Sequence, residues 1–152
     1  MVQDSIEKEV RIDAPIDIVW SIVTAPEHIG SWLGNSAEVD LRPGGDMVLK
    51  FGEVGTANCT VERVERPNLF AFRWVTPEPD RDPGLQEGYA TLVEFQLRAE
   101  GDGTMLRMVE SGFASLAGSE EENAELAERH AGGWGSFLDS LVTYVATVEV
   151  GT

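Results

Sequence analysis

Between residues 37 and 111 apolar side chains recur at every second position, and the runs are cut by the turn sequences RPGGD, FGEVGT, ERPN and EGDG. A period of two sends alternate side chains to opposite faces of an extended chain, and short polar turns bring each strand back beside the last. The stretch must therefore be an antiparallel meander. Met47, Leu49 and Phe51 alternate with Val48 and Lys50; Phe70, Phe72 and Trp74 with Ala71 and Arg73; Tyr89, Thr91, Val93, Phe95 and Leu97 with Glu94, Gln96 and Arg98. One face of such a sheet is strongly apolar and needs a cover.

The C-terminal segment supplies one. Ser119 and Glu122 have the spacing of a capping box, and the helix they open runs to about Val148. Trp134, Leu138, Leu141, Val145 and Val148 share one face, with Phe137 and Val142 at its margins. Glu125, Glu128, Arg129, Asp139 and Thr143 lie opposite. Within HAGGWGSFLDSLVTYV, however, Gly132, Gly133 and Gly135 surround Trp134, and an interior helical glycine costs roughly 0.5–1 kcal/mol relative to alanine. Two explanations fit: a bend or a close backbone approach that lets Trp134 enter a space beneath, or an ordinary core tryptophan in a kinked segment.

Before the meander, SIEKEVRI places Ile6, Val10 and Ile12 on one side of a strand. Asp13 is placed to cap a helix with Pro15 in its first turn and Ile16, Val19, Trp20 and Val23 on its apolar side. Thr24 and Pro26 restart the pattern for a second short helix carrying Ile29, Trp32 and Leu33, which Gly34 can end. The segment TPEPDRDPGLQEG, with Pro77, Pro79 and Pro83, cannot continue a sheet and predicts a long mobile loop that could serve as a lid.

With 152 residues the chain fits one domain, residues 1–152. Its 27 acidic against 11 basic residues give a net charge of −16, which disfavours nucleic acid and anionic membranes as partners. MVQDSIEKEV has no apolar signal core, and no run approaches the roughly 20 apolar residues of a membrane span, so a cytoplasmic protein without membrane insertion is expected. Cys59 stands alone, which points to a buried inert thiol. No spacing suggests a bound metal, and no phosphate loop or nucleophile–base motif implies a cofactor.

If the AEGDG turn closes a hairpin, partners whose numbers sum to 203 face one another: Leu97 with Leu106, Phe95 with Met108, Val93 with Glu110. Glu110 then sits on the apolar face, where it could hold a ligand's polar end or act as a general acid or base. Alternatively, it reaches water or a backbone amide at the strand end. His130 lies about 40° from Trp134 around the helix and is a second polar candidate. His28 has no visible partner, and Arg73 and Arg107 point outward.

The segments APIDIVWSIVTAPEHIGSWLG, DLRPGGDMVLKF, VERVERPNLFAFRW, GDGTMLRMVESGF and HAGGWGSFLDSL occur in an order and spacing that resembles START-like proteins related to the C-terminal domain of the activator of the heat-shock protein 90 ATPase. The resemblance covers nearly the whole chain. It implies an α+β helix-grip fold: a strand, two short helices, six further antiparallel strands and a long C-terminal helix gripped by the curved seven-stranded sheet. It also implies a cavity between helix and sheet. Lipid carriers, hormone receptors, polyketide cyclases and chaperone cofactors share this fold, so function must come from the site. The leading expectation is a small hydrophobic ligand held by Phe51, Phe72, Trp74, Tyr89, Phe95, Met108, Trp134, Phe137 and Leu141, oriented by Glu110 and His130. A cyclase-like enzyme acting through Glu110 is the alternative. A chaperone-cofactor or protein-interaction role is a third, weakened because the chain is expected to lack the separate N-terminal domain of such activators. The resemblance also allows a homodimer.

Overall fold

The first strand, β1 (Ser5–Ile12), leads into two short helices, α1 (Ile16–Thr24) and α2 (Pro26–Trp32). Six strands follow: β2 (Ser36–Val39), β3 (Asp46–Lys50), β4 (Thr56–Glu65), β5 (Leu69–Trp74), β6 (Thr91–Glu100) and β7 (Gly103–Ser111). The helix α3 (Glu120–Val150) closes the chain. The structure, a computed structural model, describes residues 4–33, 36–50, 56–74, 91–113 and 119–150. Phe51, Tyr89, Gly34 and the proline-rich segment expected to form a loop lie outside these residues, and for Val148 only the backbone is described.

The strands form one curved seven-stranded sheet in the order β1-β7-β6-β5-β4-β3-β2, with every neighbouring pair antiparallel. This is the expected helix-grip arrangement. A register shift between Val61 and Arg63 marks an irregularity in β4, the kind of insertion that increases local twist and bends a strand. Period-two alternation does what it promised: Phe70, Phe72, Val93, Phe95, Leu106 and Met108 are buried on the inner face. Arg73 and Arg107 are on the other side, paired with Glu62 at 2.9 Å and Glu7 at 2.7 Å.

Asp13 is not the cap of α1. Its carboxylate is turned back onto Arg11, and Pro15 takes the cap position in an extended conformation without any side-chain hydrogen bond. Proline forces the residue before it out of helical geometry, so the helix starts after Pro15 and leaves Asp13 too early to reach the first-turn amides. The two short helices are tied together where the Trp32 indole N–H donates to the Ile22 carbonyl at 3.0 Å.

The capping box of α3 is formed as read: the Glu122 amide donates to Ser119 Oγ at 3.1 Å and the Ser119 amide to Glu122 Oε1 at 3.0 Å. From there the helix passes unbroken through Gly132, Gly133 and Gly135, burying Trp134, Leu138, Leu141 and Val145. The close-approach explanation for the glycines finds no support. Beyond the adjacent residues and the helix's own backbone, a Cβ placed on Gly132 or Gly135 would have no heavy atom within 4 Å among the described residues, and one on Gly133 would meet only the Phe137 ring at 3.9 Å. No helix among the described residues is long and apolar enough to cross a membrane.

Candidate functional site

The site is set by the β6–β7 hairpin. Glu100 pairs with Gly103 across the two-residue turn Gly101–Asp102, and Gly101 takes φ 58 at the first turn position, where glycine adopts a positive φ without strain. That register carries through to Val93 opposite Glu110, with Ile6 of β1 on the other side of Glu110. A one-residue slip would have turned Glu110 outward. Instead its side chain is fully buried, the one buried acidic residue among the described residues.

An isolated carboxylate there would be destabilising by several kcal/mol, so its surroundings must compensate. They do so from both layers. The Thr91 hydroxyl of β6 donates to Oε2. Trp134 Nε1–H of α3 donates to Oε1 at 2.9 Å, and His130 Nδ1 lies 2.8 Å from both oxygens. His130 and Trp134 are four residues apart, which stacks them on one face of α3 and lets both reach the same carboxylate. Three groups thus converge on the carboxylate, with the one Nδ1 of His130 shared between its two oxygens.

Aromatic rings enclose this polar knot. His130 stands edge-on to Phe113 at 5.5 Å and to Trp74 at 6.5 Å between centroids. Trp134 touches Trp74 and Phe95, both at 5.7 Å. The His130 side chain retains 11% exposure and Glu110 none, so the imidazole is the edge of the pair nearer to solvent.

Sequence reasoning placed Glu110, His130 and Trp134 on facing surfaces, and the structure brings all three together. Trp74 and Phe95 join them. Phe72 packs on Phe95 at 5.8 Å, and Met108 and Leu141 are fully buried in the same core. Phe137 is half-buried, 5.8 Å from Trp134. Phe51 and Tyr89 fall outside the described residues. Thr91 was missed as a partner, although the alternation that turns Val93 and Phe95 inward turns Thr91 inward too. Phe113 was also missed. It follows Gly112, whose φ of 101 redirects the chain after β7, and nothing in the local pattern announces that turn. His28 does have a partner: its Nδ1 lies 2.7 Å from the Tyr144 hydroxyl, linking α2 to α3.

No group of three metal-ligating side chains occurs among the described residues. What the cluster offers is a carboxylate that fixes an imidazole within an aromatic wall. Such a pair can orient a polar group or move a proton.

The profile of the family described as Activator of Hsp90 ATPase homolog 1-like protein matches residues 13–146. Among solved structures, protein MLL2253 from Mesorhizobium loti superposes with a TM-score of 0.79 at 23% identity, covering 94% of this chain and 97% of its own. CalU16 from Micromonospora echinospora is 31% identical, with a TM-score of 0.68 over 96% of this chain and 78% of that one. DynU16, from the dynemicin biosynthetic locus, is 25% identical with a TM-score of 0.73 over 95% of this chain, which spans 48% of DynU16. No curated protein matches the sequence.

Proposed function

This chain belongs to the Activator of Hsp90 ATPase homolog 1-like family, and within it we propose a binding protein for a small hydrophobic ligand, held between the sheet and α3 with its polar end oriented by Glu110 and His130. The observation that carries the proposal is the buried carboxylate gathering Thr91, His130 and Trp134 inside an aromatic wall. A buried, hydrogen-bonded carboxylate seldom adds stability over well-packed apolar residues, so a fold has little reason to retain this one for its own sake. The likeness to DynU16, whose gene lies in a biosynthetic locus, supports a small molecule as the partner.

Thermal-shift and native mass-spectrometric screening of hydrophobic compounds tests this. A ligand should raise the melting temperature of the wild-type protein, and Phe95→Trp, which enlarges a wall residue, should abolish the rise. A Phe95→Trp protein that keeps the full ligand-induced shift would count against the pocket.

The carboxylate–imidazole contact also favours a second role, a cyclase-like enzyme. It requires turnover that disappears in Glu110→Gln while the protein stays folded. The chaperone-cofactor role has only the family's name behind it and requires stimulation of a heat-shock protein 90 ATPase by the purified chain. The single domain spanning residues 1–152 and the homodimer are likewise part of the proposal, and light scattering tests the latter.

A further inference from the structure

All the glycines of the 31-residue helix α3 fall within one turn, from Gly132 to Gly135, and that turn carries Trp134 onto Glu110. Neither static reason for glycine applies to them. None takes a positive φ, and a Cβ on Gly132 or Gly135 would stand in open space, one on Gly133 at ordinary contact with Phe137. What they do supply is softness, a weaker preference for the helical state than alanine would give. The soft turn lies where the molecule is shut: Glu110, Phe95 and Trp134 are buried beneath it, so a ligand reaches them only when a covering element moves. His130 and Trp134, on either side of Gly132 and Gly133, are both bound to the one carboxylate. The helix is thus weakest by propensity where tertiary hydrogen bonds hold it down, the make-up of a segment that opens locally while its neighbours stay packed. Those neighbouring turns bury Leu126 and Ala127 on one side and Leu138, Leu141 and Val145 on the other.

We propose that α3 opens between Ala131 and Ser136 to admit the ligand: Gly132, Gly133 and Gly135 are the hinge, and the bonds of His130 and Trp134 to Glu110 are the clasp that closes it again. The gate rests on the binding role proposed above and adds a route into a site that is shut in the structure. It is a two-state element. Closed, His130 and Trp134 meet Glu110 and exclude water from it. Open, the turn unwinds, Trp134 leaves the carboxylate, and entering water solvates it, which offsets part of the lost hydrogen bonding.

Native-state hydrogen exchange reads the opening without any ligand. Corrected for intrinsic rates, the amides of residues 132–138 should exchange about tenfold faster than those of residues 125–128 and 141–145, and a Gly132→Ala/Gly135→Ala protein, whose added methyl groups have room, should slow them about tenfold. Wild-type protection as high at 132–138 as in the flanking turns overturns the gate. Stopped-flow mixing with N-phenyl-1-naphthylamine, a neutral probe that fluoresces in apolar surroundings, reads the passage. The double variant should slow association and dissociation together by about tenfold and leave affinity unchanged, because the gate is closed before and after binding. Thr143→Ala, which raises helix propensity on the exposed face of α3 away from the hinge, should leave both rates as they are. Unaltered rates in the double variant, or an equal slowing by Thr143→Ala, overturn the gate. A probe that does not bind the wild type at all overturns the pocket instead, and the exchange data then decide whether α3 opens.

Discussion

The two faces of β7 handle charge in opposite ways. On the outer face Arg107 meets Glu7 at 2.7 Å, with side chains 43% and 52% exposed. On the inner face, three residues further along, Glu110 meets His130 at 2.8 Å, with exposures of 0% and 11%. The distances are nearly equal, so geometry alone does not separate the pairs. Surroundings do. Outside, water solvates each partner whether or not the contact forms, and Glu7 holds the Arg107 guanidinium charged to still higher pH than usual by hydrogen bond and attraction. Inside, the Glu110 carboxylate is closed to solvent and depends on Thr91, His130 and Trp134.

The largest test of this contrast is Glu110→Ala, which strands the Thr91, His130 and Trp134 donors and opens a cavity. It should lower unfolding stability by about 3–5 kcal/mol in urea titration. A loss under about 1 kcal/mol would mean that inner and outer pairs are energetically alike. A smaller effect of opposite sign is expected on the solvent side of α3, where Gly132 is exposed with room for a methyl group. Gly132→Ala should stabilise by about 0.5–1 kcal/mol, seen as a raised melting temperature. Smallest of all is the outer pair of Arg73 and Glu62, whose side chains are 48% and 40% exposed. A double-mutant cycle there should give about 0.5 kcal/mol or less, shrinking further in high salt.

Local rules made much of this molecule legible. Period two identified the inner face of the sheet, the hairpin sum placed Glu110 opposite Val93, and the Ser119–Glu122 spacing gave the start of α3. Each depends only on residues close in sequence or joined by one turn. Where partners come from distant segments, the same rules fell silent. His28 and Tyr144 are 116 residues apart, and no periodicity relates them. Phe113 reaches His130 because the backbone turns at Gly112, which a strand pattern does not encode. Asp13 has the right chemistry for a cap and the wrong geometry, because Pro15 shifts the helix start beyond its reach. The glycines around Trp134 remain unexplained by packing among the described residues.

The sheet order also bears on how the protein is made. β1 leaves the ribosome before the other strands of this sheet, yet its hydrogen-bonded neighbour among the described strands is β7, with Ser5 paired to Ser111. About a hundred residues must be synthesised before that edge can zip. Until then Ile6 and Ile12 have no strand to lie against, and nascent chains stalled before β7 should be the ones that chaperones and proteases find.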